Sequence, residues 1–418
     1  MKQPFLMAGT LAAVLLAAPA DAQDKTQLRD FSIFDAQLSE KWAPVEAAYE
    51  EANPNIDVVI ENTAGSGAAV YPDVLRTSMA SGDPPDVFFL WGGTISGPFV
   101  KAGQVRALED FYEKYGWKSL VPPWTLDRVT VDGKLYGVPF RARGMGFWYR
   151  TDIMKENGLS EPKTYAEFEE VCAKLKSAGK YCASVAGKFG WHLMRLVDYF
   201  LEGTCGPEKH DQLNRLEVSW EDPCVIEGFG RLKKWMDQGW LVPEFLGISP
   251  DDARLPVFQG DAVMMNEGPW FEGVLKNDEQ PLENYSFFIP PSDHEPLRYS
   301  AFPEQWMIAA GAKHPEEAAA FINWMTQKDT VMKFPDAFAG SAIVGYKPDC
   351  ATSPFECRWV DIITSDQATY PPTDQAFVKE LMDGFFEVQS GIVSGQLTAE
   401  DGAKLMQERA AAWKASAN

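Results

Sequence analysis

The 418-residue sequence predicts an α/β protein with parallel sheets, divided into two domains. Three observations lead there: strand and helix patterns alternate from the first folded residues, a chain of this length splits at roughly 150 residues per domain, and 45% of its residues are hydrophobic, enough for two cores. Phe31 to Phe34 reads as a short strand, Ser39 to Glu51 as an amphipathic helix with Trp42, Val45 and Tyr49 on one face, and Ile56 to Glu61 as a second strand. A strand–helix–strand unit of this kind builds a parallel sheet. Tyr71 to Ala80 is then helical, Ser81-Gly82-Asp83-Pro84-Pro85 breaks the helix, and Val87 to Trp91 is an apolar strand covered on both faces.

Ahead of this unit, Lys2, the apolar run Phe5 to Pro19 and the small-residue site Ala20-Asp21-Ala22 read as a signal peptide over residues 1–22. The run is too short to span a bilayer, so the expectation is cleavage and a periplasmic, exported protein. The formal charge of −22 is spread along the chain and argues against nucleic acid or an anionic membrane as partner. In an oxidising compartment six cysteines pair. Nearest-neighbour bridges Cys172–Cys182, Cys205–Cys224 and Cys350–Cys357 would each close a short loop. With no CxxC pair and only four His, neither a metal site nor a cofactor is expected.

Further along, Thr164 and Glu167 have the spacing of a capping box, and Phe168, Val171 and Leu175 follow at helical spacing. His314-Pro315-Glu316 opens another helix whose Ala318, Phe321, Ile322 and Met325 face inward. The segment Phe258-Gln259-Gly260-Asp261-Ala262-Val263-Met264-Met265-Asn266-Glu267-Gly268-Pro269-Trp270 reads as a Gly-Asp turn, a short apolar strand from Ala262 to Met265 and a Gly-Pro turn presenting an indole.

That segment resembles one shared by the family 1 extracellular solute-binding proteins of ABC importers, the group that contains maltose- and oligosaccharide-binding receptors. Asn53-Pro54-Asn55-Ile56-Asp57-Val58, Ser81 to Val87, Ala102-Gly103-Gln104-Val105-Arg106-Ala107-Leu108, Asp132-Gly133-Lys134-Leu135-Tyr136-Gly137-Val138-Pro139 and Trp148-Tyr149-Arg150-Thr151-Asp152 match the same pattern. The resemblance implies a two-lobed periplasmic-binding-protein fold, type II-like, with flanking helices and a hinge cleft. It places lobe 1 at residues 25–130 with a return at 285–324, lobe 2 at 131–284, and a helical return over 325–418 shared between them. It also implies a monomer that captures a carbohydrate by hinge closure and delivers it to ABC permease transmembrane subunits. A polyol, a glycerol-phosphate-like compound or an anionic sugar derivative is the alternative cargo. A secreted glycoside hydrolase is the competing class; it needs a carboxylate pair at set separation, and with no GxSxG or HExxH motif in support an enzyme is not expected.

Sugars present apolar C–H faces and hydroxyl edges, so aromatic plates and planar polar side chains are the groups to look for. Trp91 and Thr94 follow an apolar strand at its carboxyl end, where open α/β sheets bind ligands, and Trp91 matches a cleft position of the family. Trp270 is a candidate by the same resemblance, and Trp306 is one as an indole expected on a loop before the strand Met307 to Ala310, where relatives often carry small residues. Trp191 and His192 sit in a Gly-Lys-Phe-Gly loop context. Asp35 and Gln37 follow the first strand, and Ser66 and Gly67 lie at the end of the second; turns use such residues for backbone reasons too. Arg141 and Arg143 could fork onto hydroxyls, a carboxylate, a sulfonate or a phosphate, or form surface salt bridges. Gly340 and Ser341 occupy a segment that faces the cleft in relatives.

Overall fold

The computed structural model describes residues 25–33, 36–62, 67–365 and 367–417. The expected signal peptide, Phe34, Asp35 and Ser66 lie outside them; Gln37 falls in the first turn of the helix Ala36–Ala52 and Gly67 begins the helix Gly67–Ala80. Strands β1 (Thr26–Ser32), β2 (Ile56–Asn62) and β3 (Val87–Trp91) pair in parallel, as the strand–helix–strand pattern requires. A two-stranded ribbon, β4 (Thr130–Val131) and β5 (Lys134–Leu135), follows. Next come β6 (Gly137–Gly144), β7 (Gly146–Arg150), β8 (Tyr181–Ser184), β9 (Ala262–Glu267), β10 (Tyr285–Phe288), β11 (Tyr299–Ile308) and β12 (Thr369–Tyr370).

Two sheets result. The first runs β12-β11-β3-β1-β2 with β6 also on β11, and the second runs β10-β7-β9-β8. Both are mixed, because β11 returns antiparallel to β3 and β6 while β7 lies antiparallel to β9 and β10. The apolar β3 accounts for its own central place: Val87 to Leu90 are fully buried, the pattern of a strand covered on both faces. Trp42, Val45 and Tyr49 are buried against the first sheet, and Phe168, Val171 and Leu175 belong to the core beneath the second.

The strand ladders shift two expected boundaries. Residues 137–144, placed with lobe 2 by the sequence, join the first sheet, and residues 285–288, placed with the lobe 1 return, join the second. The reason is the tight crossing Gly144-Met145-Gly146. A Cβ on Gly144 would meet the Trp359 ring at 2.5 Å, so two glycines let a C-terminal indole close over the crossing, a contact that local composition does not reveal.

Thr164 Oγ accepts the Glu167 amide at 3.1 Å, capping the helix Tyr165–Ser177, but the return bond from Glu167 goes to the Lys163 amide. All three expected disulfides are present, joining residues 10, 19 and 7 apart. Arg298, at the end of the second crossing, residues 289–298 from β10 to β11, donates to both Glu202 oxygens at 2.8 Å and to both Asp211 oxygens at 2.9 and 2.8 Å. His210 Nδ1 lies 2.6 Å from Glu202, and the Tyr370 ring packs on both His210 and Arg298. The second crossing, and the third that leaves β12 at residue 371 for the helix Lys379–Val393 of the second core, are thereby tied to the helix Trp191–Asn214. No helix among the described residues is long and apolar enough to cross a membrane.

Candidate functional site

The ends of both sheets converge on the Met145 crossing. β6 stops at Gly144, β7 starts at Gly146, and Gly146 is paired with Glu267, the last residue of β9. On the first sheet Arg141 faces Glu304, Glu304 faces Trp91 on its other side, and Arg143 faces Phe302. Directly opposed residues share a face of a sheet, so Trp91, Glu304, Arg141, Phe302 and Arg143 form one patch beside the crossing.

Glu304 Oε2 accepts from Arg143 Nη2 at 3.1 Å and Arg141 Nη1 at 3.4 Å. The remaining arms donate to backbone carbonyls, Arg141 to Ala337 and Arg143 to Ala339. Burial pushes the Glu304 carboxyl up, but the two guanidiniums outweigh it and hold the group below its ordinary range. Burial and the neighbouring Arg143 pull Arg141 down to about 10, which leaves it cationic at neutral pH. The arginines are neither exposed salt bridges nor an empty anion fork: one buried carboxylate engages both. Gly340, with φ +76, is required here, since a Cβ would lie 2.5 Å from Arg143 Nη1.

On the second sheet Glu267 is fully buried. It accepts from Arg254 Nε at 2.9 Å and from the Trp270 indole N–H at 2.6 Å. The half-buried indole folds back over Gly268, where a Cβ would meet the ring at 2.2 Å. Trp91 is also half-buried, its ring edge-on to Phe89 at 5.1 Å.

Other candidates have backbone duties in this arrangement. Thr94 Oγ1 lies 3.1 and 2.8 Å from the Gln375 and Phe377 carbonyls, and buried Ser341 accepts the Ile343 amide and pairs with Arg141 in an isolated antiparallel bridge. Trp306 is placed differently from expectation. It lies within β11 and not before it, fully buried and stacked on Phe140 at 4.7 Å, so it supports the Trp91 patch from inside. Trp191 and His192 are not in a loop; they open the helix Trp191–Asn214. Trp191 is half-buried, whereas His192 is buried, accepts the Ala186 amide at 2.9 Å, and is pushed by burial down to about 4, so it stays neutral.

A profile of the bacterial extracellular solute-binding proteins matches residues 34–332. The chain belongs to that family. Among its relatives, a multiple sugar-binding protein of Streptococcus mutans is 26% identical over 313 residues, 72% of this solute-binding protein and 71% of that one. An uncharacterised ABC transporter extracellular-binding protein of Pyrococcus horikoshii is 28% identical over 285 residues, spanning 66% of this chain and 63% of its own length. A solved chitin oligosaccharide binding protein superposes with a TM-score of 0.82 at 22% identity, covering 93% of this chain and 98% of that one. A structure from work on xylan utilisation by the thermophile Caldanaerobius polysaccharolyticus gives 0.83 at 21% identity, covering 92% and 100%. The two-lobed fold is common to them.

Two open hollows of this solute-binding protein are lined by other residues. One of about 880 Å³ runs past Trp124, Tyr346 and the Cys350–Cys357 bridge, and one of about 580 Å³ past Thr94, Arg128, Asn214 and Trp413. Neither is lined by Trp91, Glu304 or Trp270.

Proposed function

We propose that this protein is the periplasmic receptor of an ABC importer, exported with loss of residues 1–22, that captures a carbohydrate between its lobes as a monomer and delivers it to a membrane permease. The observation that carries the reading is the pair of half-buried indoles held at the crossing, Trp91 beside Glu304 on one sheet and Trp270 on Glu267 on the other. Indole faces cover the C–H faces of a pyranose, and a buried carboxylate accepts hydroxyl hydrogens. Hinge closure brings the two sets together, and the closed state gains only what the ligand adds by touching both.

Neutral cargo is favoured over an anionic sugar derivative because every terminal nitrogen of Arg141 and Arg143 already donates, to Glu304 or to the Ala337 and Ala339 carbonyls, so the pair offers an anion no open fork. A thermal-shift screen against neutral disaccharides, polyols and sugar phosphates decides this, since a ligand at a hundred times its Kd adds about 2.7 kcal/mol to the native state. The expected result is a rise in Tm confined to neutral sugars. A rise with sugar phosphates alone would replace the cargo class, and hydrolysis of the sugar on standing would favour an enzyme.

A further inference from the structure

Arg195 lies in the second turn of the helix Trp191–Asn214, whose apolar side belongs to the core beneath the second sheet, and is only 4% exposed. Its guanidinium sits 5.1 Å from the centroid of the Phe302 ring, which belongs to β11 of the first sheet. Its Nη2 is 3.4 Å from Asp374 Oδ2. Asp374 is placed by the same helix: Asp198 accepts the Thr373 amide at 3.0 Å and the Thr373 hydroxyl at 2.5 Å, and the Asp374 amide meets Met194 Sδ at 3.2 Å.

Within this couple, the buried atoms Nε and Nη1 of Arg195 have no partner, and neither has buried Oδ1 of the half-buried Asp374. Folded proteins seldom leave three such groups unmet side by side without a use for them. The neighbouring guanidiniums differ in that both terminal nitrogens of each are engaged, Arg141 and Arg143 with Glu304 and backbone carbonyls and Arg298 with Glu202 and Asp211; of Arg141 and Arg143 only Nε is unmet. Phe302 is directly opposed to Arg143, so the unmet groups adjoin the patch described above. They also lie between an element of each sheet, where relative movement of the lobes would uncover them.

We infer that Arg195 and Asp374 read two adjacent hydroxyls of the captured carbohydrate, the guanidinium edge donating to the hydroxyl oxygens and Asp374 Oδ1 accepting a hydroxyl hydrogen. The inference rests on the carbohydrate reading and adds to it a preference for vicinal diols. A flat two-donor edge next to an acceptor matches a vicinal diol, in which each hydroxyl both donates and accepts.

The test is calorimetric titration of the mature full-length protein with maltose, cellobiose and diacetylchitobiose, and with monodeoxy forms of whichever binds. Arg195→Lys, which keeps the charge and loses the flat edge, and Asp374→Asn, which removes the anion, should each weaken binding about 10- to 100-fold. A deoxy sugar that loses affinity on the wild type should lose little more on Arg195→Lys, a coupling that a purely structural residue would not show. Equal affinities for wild type and both variants overturn the pair while leaving the carbohydrate reading standing; a wild type that binds no sugar overturns both. The deoxy series on the wild type decides the matter even where a variant fails to fold: full retention of affinity by every deoxy form overturns the inference.

Discussion

An alanine at Gly268 would place its Cβ 2.2 Å from the Trp270 ring, and the indole would have to leave Glu267. Gly268→Ala is expected to weaken sugar binding about tenfold, the usual scale of a forced repacking, and titration calorimetry checks it. At Glu46 the effect is on stability. Burial, with Glu50 nearby, raises its carboxyl from 4.5 to about 7. The folded state therefore holds a proton that the unfolded chain has released, and this group's contribution falls as pH rises from about 4.5 to 7. Glu46→Gln should melt higher than wild type at pH 8 and close to it at pH 4.5. Single residues were unevenly legible in the sequence. Trp91 and Trp270 stand at turns after strands, which sequence can mark; Glu304 could not be picked from 60 acidic residues, because its partners are 161 and 163 positions away. Thr94 and Ser341 show the opposite limit, since the hydroxyls that suit a ligand also suit a backbone carbonyl or amide.

The helices Trp191–Asn214 and Pro223–Asp237 are clasped by Cys205–Cys224. Replacing both cysteines with alanine should cost about 3 kcal/mol, the scale for a loop of this size, while leaving the indole patch and sugar affinity intact; chemical unfolding alongside calorimetry separates the two. The Arg298 tie is more demanding. Burial raises the Glu202 carboxyl, but hydrogen bonds from Arg298 and His210 more than reverse this and hold it down at about 2. Glu202 therefore adds stability that is present above its ordinary 4.5 and is lost as pH falls through that value toward 2. Arg298→Met would leave the Glu202 carboxylate buried beside Asp211, at a cost of about 3–5 kcal/mol, and should flatten the acid limb of the stability profile. The elements themselves were well marked, Val87–Trp91 by its apolar run and Tyr165–Ser177 by its Thr164 cap. Sheet membership was not, because β6 and β7 read as neighbours and part company only at the glycines flanking Met145.

At the scale of the whole molecule, two sheets joined by three crossings move as lobes only if the crossings bend while their anchors hold. The Met145 crossing has glycines on both sides, whereas the second and third crossings are tied to one helix through Arg298 and Tyr370. In the proposed closure the lobes turn about the Met145 crossing, bringing the Trp91–Glu304 patch and the Trp270–Glu267 pair toward each other. The two-lobed fold was legible through many short matches spread over the chain; the bonds that hold the crossings were not, since each joins residues far apart in sequence. Small-angle X-ray scattering of the mature protein, with and without a saturating neutral disaccharide that binds it, tests capture by closure most directly. The account predicts a smaller radius of gyration with sugar bound, and a bound sugar that leaves the radius unchanged would contradict it.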